Sequence, residues 1–522
     1  MSIDRGSLRV VPDLLDVFSD IARRNPRRPA IVHNGHALSY GRLLESANAL
    51  ATRLGPDPGT VAVPALHTPE TVVALLGVLT AGGTYCPVDP AFPTARRRAM
   101  AAAARCRTAV SGSTGDILRL DLPSRGLPEP TEIPGDPPGT LPANPVGSGP
   151  EHDPDRPAYI LFTSGSTGQP KPVVTPRRAV AATARALGGL FDLTPEDRVL
   201  QFASLNWDTC FEEILPTLTT GAALVMDRDA HSGSFPRFLR AVERERITVL
   251  DLPTAFWHEL VHHLVESGDR LPSCLRLLVI GGEAAGPARL ADWARLPTAA
   301  IRLLNTYGCT ETTQITHAVD LAGPRAPGRT WDGTTRAPIG HALPHVVERL
   351  DEQGELLIGG PAVALGYLGL PEATAARFTT LDGARYFRTG DRMSRDPDGL
   401  LTHQGRLDGE LKVRGIRVDP AEVEAHLTGH PDVTAAAVTG ATAAGRTTLV
   451  AYVVARPQPP ARRLDRDLLS YLRDRVPGHL VPGRITVVPH LVHTPSGKID
   501  RAGCHLRYAA APNRSKETSL EH

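Results

Sequence analysis

Residues 163–171 read Thr-Ser-Gly-Ser-Thr-Gly-Gln-Pro-Lys, residue types suited to holding a phosphate chain. Gly165 and Gly168 let backbone N–H groups turn toward one anion, Thr163, Ser164, Ser166 and Thr167 add hydroxyl donors, and Lys171 brings a positive charge. The apolar run 158–162 directly before the loop reads as a buried strand, which a flexible Ser/Gly linker would not need. The spacing is not that of a Walker loop, because only two residues separate Gly165 from Gly168 and Pro172 follows the lysine. A nucleoside triphosphate is the ligand that fits.

Stiff elements must aim such a loop. Apolar residues at i, i+3 and i+4 over 14–21, 43–50 and 71–79 predict helices, while 61–64 and 84–88 read as extended. Beyond the loop, strand patterns at 199–203, 222–226, 248–252 and 277–280 alternate with helical stretches, and short strands follow at 346–350, 355–358 and 400–402. The expected fold class is α/β, with a large N-terminal part of layered α/β subdomains, a β-rich subdomain before Gly405, and a small α+β domain in the last ~110 residues. Residues 122–157, rich in Pro, Gly and acidic side chains, read as a long surface connection.

With 522 residues the chain exceeds what one core can serve. A net charge of +1 without long charged runs argues against nucleic acid or a membrane surface as partner. Six cysteines without a CxxC pair suggest neither a zinc cluster nor a disulfide framework. No signal-like start and no apolar run of membrane-spanning length are found, so a cytoplasmic location is expected.

Six further motifs accompany the loop. They are Leu-Thr-Ala-Gly-Gly-Thr-Tyr-Cys-Pro-Val-Asp-Pro at 79–90, Asn-Thr-Tyr-Gly-Cys-Thr-Glu at 305–311, Gly-Glu-Leu-Leu-Ile-Gly at 354–359, Tyr-Phe-Arg-Thr-Gly-Asp at 386–391, Gly-Arg-Leu-Asp at 405–408 and Pro-Ser-Gly-Lys-Ile-Asp-Arg at 495–501. Together they span nearly the whole chain, which resembles the adenylate-forming superfamily and, within it, the amino-acid adenylation domains of non-ribosomal peptide synthesis. The resemblance implies a large domain over 1–404, a hinge at 405–409 and a small mobile C-terminal domain over 410–510. The polar residues of the tail 511–522 are read, on composition alone, as a cloning remnant.

The implied reaction is attack of a carboxylate on the α-phosphate of ATP, giving acyl-AMP and pyrophosphate, then transfer to a phosphopantetheine thiol. Both reactants are anions, so the site must supply cations and donors where charge develops. By resemblance, the loop from Thr163 to Lys171 holds the β- and γ-phosphates, Glu311 binds Mg2+, and Tyr307 stacks near the adenine among Asn305, Gly308 and Thr310. Asp391 accepts from both ribose hydroxyls, with Arg406 close by. Lys498 bridges the attacking carboxylate and the nucleotide. Asp408 is the hinge about which Lys498 swings out and 410–417 swings toward the thiol tunnel. Two positions depart from the family pattern, Pro172 after the loop lysine and Cys309 where proline is usual; neither removes a charge that the chemistry uses.

For the acid substrate, the resemblance sets Asp208 against an α-ammonium, which an activator of fatty or aryl acids would not need. The remaining pocket positions are Thr209, Glu212, Asp251, Val279, Gly281, Thr306, Gln314 and Ile315. Glu212 and Asp251 leave two readings open. As pocket carboxylates they favour a basic side chain. As structural groups, Glu212 closes a Thr-x-x-Glu capping box begun by Thr209, and Asp251 ends a strand in a turn before Pro253; Gln314 would then suit a small or polar amino acid. The implied partners are an amino acid and a separate or neighbouring carrier protein, with a small activator protein left open. The rival reading is an acyl-CoA ligase acting on a non-amino acid.

Overall fold

The computed structural model describes residues 12–111, 117–120, 153–164, 170–326, 328, 330–407, 410–413, 416–443, 446–456, 463–493 and 499–509. Two large sheets sandwich a layer of helices. One has nine strands in the order His341–Ala342, Ile315–Ala322, Arg302–Gly308, Leu277–Gly281, Val249–Pro253, Arg198–Leu200, Ala223–Met226, Pro29–His33 and His36–Ser39. Its central strands run parallel and are apolar on both faces. Leu277 and Val279 turn toward one core, Leu278 and Ile280 toward another, as parallel strands covered on both sides require.

The second sheet has seven strands: Gly366–Tyr367, Lys171–Pro176, Pro157–Thr163, Thr84–Val88, Thr60–Pro64, Thr108–Val110 and Ile117–Arg119. Helices Leu14–Arg24, Tyr40–Leu54, Pro69–Thr80, Arg177–Leu190 and Thr209–Thr220 contribute to the core shared by the two sheets, where Phe18, Tyr40, Leu75, Tyr159 and Phe211 are buried. A third, five-stranded antiparallel sheet runs from Val347–Leu350 to Leu401–Arg406. From Leu411 onward the chain builds a separate core of Val423, Leu427, Val438 and Leu468. Its frame is the hairpin Leu411–Val413/Ile416–Val418, the sheet of Val433–Ala443, Arg446–Ala455 and Arg484–Val487, and three helices. The α/β class with a smaller C-terminal part is as expected.

One strand is shorter than its pattern implies. The run 199–203 leaves the sheet after Leu200, because the Phe202 and Ala203 amides donate to Glu213 Oε1, both at 2.9 Å, in place of a neighbouring strand. The last strand of the third sheet instead continues to Arg406, pairing Asp391 with it. Most of 122–157 lies outside the described residues. Among those described, no helix is long and apolar enough to cross a membrane.

Strands Pro157–Thr163 and Lys171–Pro176 are antiparallel neighbours with Thr163 opposite Lys171, so the sheet fixes both ends of the glycine-rich loop. The small C-terminal part docks beside it. Ser164 Oγ accepts from the Asp419 amide at 2.9 Å and donates to the Arg417 carbonyl at 3.1 Å. Arg96 pairs with Glu422 at 2.7 Å, their side chains 10% and 0% exposed. Losing one partner of a buried pair costs about 3–5 kcal/mol, and here that cost falls on the docking of two bodies. The Arg96→Ala variant is expected to be cut several-fold faster within 407–419 in limited proteolysis while retaining the wild-type circular dichroism spectrum.

Candidate active site

Between the large sheets and the docked hairpin lies a cavity of about 300 Å3. Glu311 reaches it from the turn Thr310–Thr312, which follows strand Arg302–Gly308. The turn depends on Gly308: a Cβ there would stand 1.8 Å from the Gln314 carbonyl oxygen. Thr313 and Gln314 both adopt left-handed backbone, φ 56° and 68°, a strained pair for side chains of this kind. Glu311 is 1% exposed. Its Oε1 accepts from the Tyr367 hydroxyl at 2.7 Å, and Arg417 stands 3.4 Å from Oε2. Burial opposes its ionisation, but Arg417, the Tyr367 hydroxyl and Lys171 overcome that and hold the carboxyl below its usual range.

Asp391 is the second anchored carboxylate. Oδ2 accepts from the Tyr307 hydroxyl at 2.7 Å and Oδ1 from Arg406 at 2.9 Å, with His403 Nε2 at 3.0 Å. Despite desolvation, His403, Lys412 and Arg406 keep it ionised far below the usual range. Each carboxylate oxygen still has lone-pair capacity for a ligand hydroxyl. Arg406 and Arg417 both also bind Glu410.

At the other end stand three carboxylates with no cation beside them, Asp208 held by the Gln314 backbone amide and the Thr310 hydroxyl, and Glu212 and Asp251 by each other. Asp208 occupies the N-cap position of helix Thr209–Thr220 but makes no side-chain cap bond. Burial, then Glu311, push its carboxyl up to about 6. Glu212 lies one turn on, 6% exposed. Asp251 comes from strand Val249–Pro253, and its Oδ2 is buried without a hydrogen bond. Burial and then the facing carboxylates, Asp251 before Asp208, raise Glu212 well above the usual range; burial raises Asp251 to about 7. Two facing acids with raised pKa values and a hydrogen bond between them favour holding one proton jointly.

This geometry corrects the capping-box reading. Thr209 is already inside the helix and the cap is Asp208, so Glu212 is offset from the position that could bond back. The structural acid is its neighbour Glu213, 1% exposed, which holds the 201–203 turn through the amides of 202 and 203 and through Gln201 Nε2 at 3.0 Å. Asp251 is likewise within its strand and not in a turn.

Two family models match this chain, AMP-binding enzyme over residues 18–368 and AMP-binding enzyme C-terminal domain over 422–498. The chain belongs to the AMP-binding enzymes. Within that family it is related to the adenylation domains of nonribosomal peptide synthetases. An isonitrile lipopeptide synthase from Streptomyces coeruleorubidus is 40% identical over 94% of this chain, which spans 33% of that protein's length. Among solved structures, an artificially fused adenylation–PCP di-domain, NpsA-ThdA from Klebsiella oxytoca, superposes with a TM-score of 0.74 at 25% identity, covering 92% of this chain and 94% of that one. A malonyl-CoA ligase with methylmalonyl-CoA and AMP bound gives 0.71 at 28%, covering 90% and 97%.

Of the positions transferred from the family pattern, Thr163, Asp208, Thr209, Glu212, Asp251, Gly281, Thr306, Gly308, Thr310, Glu311, Gln314, Ile315, Asp391 and Arg406 all line this one cavity. Gly281 forms tight floor, since a Cβ would meet Thr306 Oγ1 at 2.6 Å. Val279 does not reach the cavity surface; it packs behind it with Leu187, Val199 and Ile315. Asn305 also stays behind the wall, donating to the Pro338 carbonyl at 2.7 Å. The Tyr307 ring, expected against adenine, is buried with Lys412 Nζ 5.5 Å from its centre. Lys171 lies beside Tyr367, its Nζ 5.2 Å from the ring centre, and burial lowers its pKa although Glu311 opposes this. Ser164 lines a smaller adjoining hollow with Arg96, Trp207 and His479. Gly165, Ser166, Thr167, Gly168, Asp408 and Lys498 lie outside the described residues.

Tyr367, His403 and Thr389 were not singled out by the sequence. Tyr367 and His403 act through Glu311 and Asp391, 56 and 12 positions away, and both lie outside the motifs that the sequence offered. For Mg2+, the described residues hold no cluster of three or more ligating side chains. An ionised Glu311 with one protein carboxylate to give fits a magnesium ion completed by phosphate oxygens and water, provided Arg417 withdraws.

The unpaired acids make a stability prediction. A carboxyl whose native pKa is raised contributes stability that is complete below its unfolded value near 4 and is lost as pH rises through about 7. Asp251→Asn removes that loss, so in the absence of ligands its melting temperature should exceed wild type by a margin growing from pH 4 to pH 8, to a few degrees, in differential scanning calorimetry.

Proposed function

We propose that this chain activates an amino acid as its adenylate and passes the acyl group to the phosphopantetheine thiol of a carrier protein. The observation that carries this reading is Asp208, an acid in a desolvated cavity wall, without a cap bond to make and facing the same space as Glu311 and Asp391. A substrate ammonium at Asp208 directs the attached carboxylate along the cavity toward the nucleotide end. There the carboxylate oxygen bonds to the α-phosphorus, the bond from that phosphorus to the bridging oxygen of the β-phosphate breaks, and pyrophosphate leaves with the electron pair. In the second step the thiol sulfur bonds to the acyl carbon, the bond from that carbon to the phosphate oxygen breaks, AMP leaves with the electron pair, and the thiol proton passes to solvent.

This chain's residues act by charge and position. Asp391, held ionised by Arg406 and flanked by the Tyr307 hydroxyl, accepts ribose hydroxyls. Lys171, beside the Tyr367 ring, would meet the phosphates, and Glu311 would hold magnesium, which when bound neutralises charge on the departing pyrophosphate. Arg417 and Lys412, both on the C-terminal hairpin, cover the cavity in the arrangement described above. That is the disposition expected of the thiol-transfer half-reaction, with Arg417 on the carboxylate that magnesium would use in the first. Rotation about Asp408 would exchange this hairpin for Lys498.

The acyl-CoA ligase reading is disfavoured by the same wall: three carboxylates at its acid end repel a second substrate carboxylate and leave an uncharged acyl chain facing unpaired acids. The test is amino-acid-dependent ATP–pyrophosphate exchange with matched des-amino acids, followed by loading of a holo carrier protein. Exchange should require the amine, and Asp208→Asn should lower kcat/KM at least 100-fold, about 2.7 kcal/mol. Exchange with des-amino acids at equal rates would establish the ligase reading instead.

A further inference from the structure

Glu212 and Asp251 face each other in the cavity wall, and neither serves the fold. Glu213 performs the structural duty on the helix, and the strand carrying Asp251 is held by its backbone ladder to Leu277–Gly281. The cations that line the cavity belong to its nucleotide end, where Arg406 and Arg417 are engaged by Asp391, Glu410 and Glu311 and Lys412 lies over Tyr307. Hence the pair has no counter-charge among the lining side chains. Two polar groups in the same wall are poorly satisfied: Asp251 Oδ2, buried without a hydrogen bond, and the side-chain amide of Gln314, 2% exposed, which has only the Tyr159 hydroxyl beside it. Buried polar atoms without protein partners call for something to satisfy them, and a cavity lined by facing acids can take a cation that does so.

We infer that the substrate is a diamino acid, its α-ammonium at Asp208 and a second ammonium seated between Glu212 and Asp251 with Gln314 as an additional acceptor. This rests on the amino-acid reading above. Asp208 and Glu212 are four positions apart on one helix face, a separation of about 6 Å along its axis. That distance suits a side chain of about three methylenes, as in ornithine, with lysine and diaminobutyrate as the neighbouring lengths. An ammonium has three donors and no acceptor, and the three acceptor groups around it match that inventory. A neutral side chain would leave two buried acids facing apolar carbon.

Pyrophosphate exchange separates the possibilities with the whole chain. Ornithine, lysine and 2,4-diaminobutyrate are compared with norvaline, norleucine and glutamate. The expected result is a preference for one diamino acid over its neutral length-match of at least 100-fold in kcat/KM, expressed mainly in KM. Glu212→Gln and Asp251→Asn should each reduce that preference ratio at least tenfold, with ornithine methylated at the side-chain nitrogen losing in wild type as well. A neutral amino acid preferred by wild type overturns this inference and leaves the amino-acid reading standing, whereas exchange that ignores the α-amine sinks both. Variants that lose all substrates equally, with the ratio intact, would return the two acids to a structural role. Should either variant fail to fold, the wild-type panel alone decides.

Discussion

A carboxylate taken out of water needs a cation or several donors beside it, and five carboxylates line one cavity in this molecule: Asp208, Glu212, Asp251, Glu311 and Asp391. The rest of the site follows from how unequally that demand is met. Glu311 and Asp391 are surrounded by Arg417, Arg406, His403 and two tyrosine hydroxyls and stay ionised. Asp208, Glu212 and Asp251 have no cation and are pushed toward the neutral form. One end is therefore pre-organised with fixed charge, as electrostatic catalysis at a phosphate requires, and the other is left for a substrate to complete.

The cations at the completed end do not all belong to the same body. Arg406 closes the third sheet, while Lys412 and Arg417 arrive on the C-terminal hairpin, locked by Ser164 and by the Arg96–Glu422 pair. Docking and active-site charge are thus one event. Were the hairpin to leave, as the proposed rotation requires, Glu311 would lose its arginine and become available to another cation without itself moving.

Stability and function pull against each other at the acid end. Two facing acids cost folding free energy near neutral pH, and they persist where apolar side chains of similar volume would pack at no such cost. Burying unpaired polar groups at a site is what allows strong rejection of ligands that lack the matching charge. Gly281 and Gly308 impose the complementary constraint in shape, one leaving the floor open against Thr306 and the other letting the Glu311 turn fold back on Gln314.

Local order sufficed for the motifs and most elements. The 163–171 loop, the helices near 14–24 and 40–54 and the strands at 84–88 and 277–281 are written in short-range spacing, and runs such as 305–311 carry the family resemblance without any geometry. Asp208, Glu311 and Asp391 were marked by resemblance of the residues around them to the family pattern, and the fold brings all three to one cavity, whereas the partners of Glu311 and Asp391 come from far away in sequence. The short range misled at Glu212, where Thr-x-x-Glu has the spacing of a capping box and a single-residue offset of the helix start decides otherwise. Strand 199–203 was cut short by a carboxylate ten residues on, and Val279 was set behind the wall by sheet packing. Whether Glu212 and Asp251 are caps or pocket depends on a helix and a strand brought together across forty residues, and which cation meets Glu311 depends on a hairpin a hundred residues away. Charge pairing and burial act through space, so only the tertiary structure determines them.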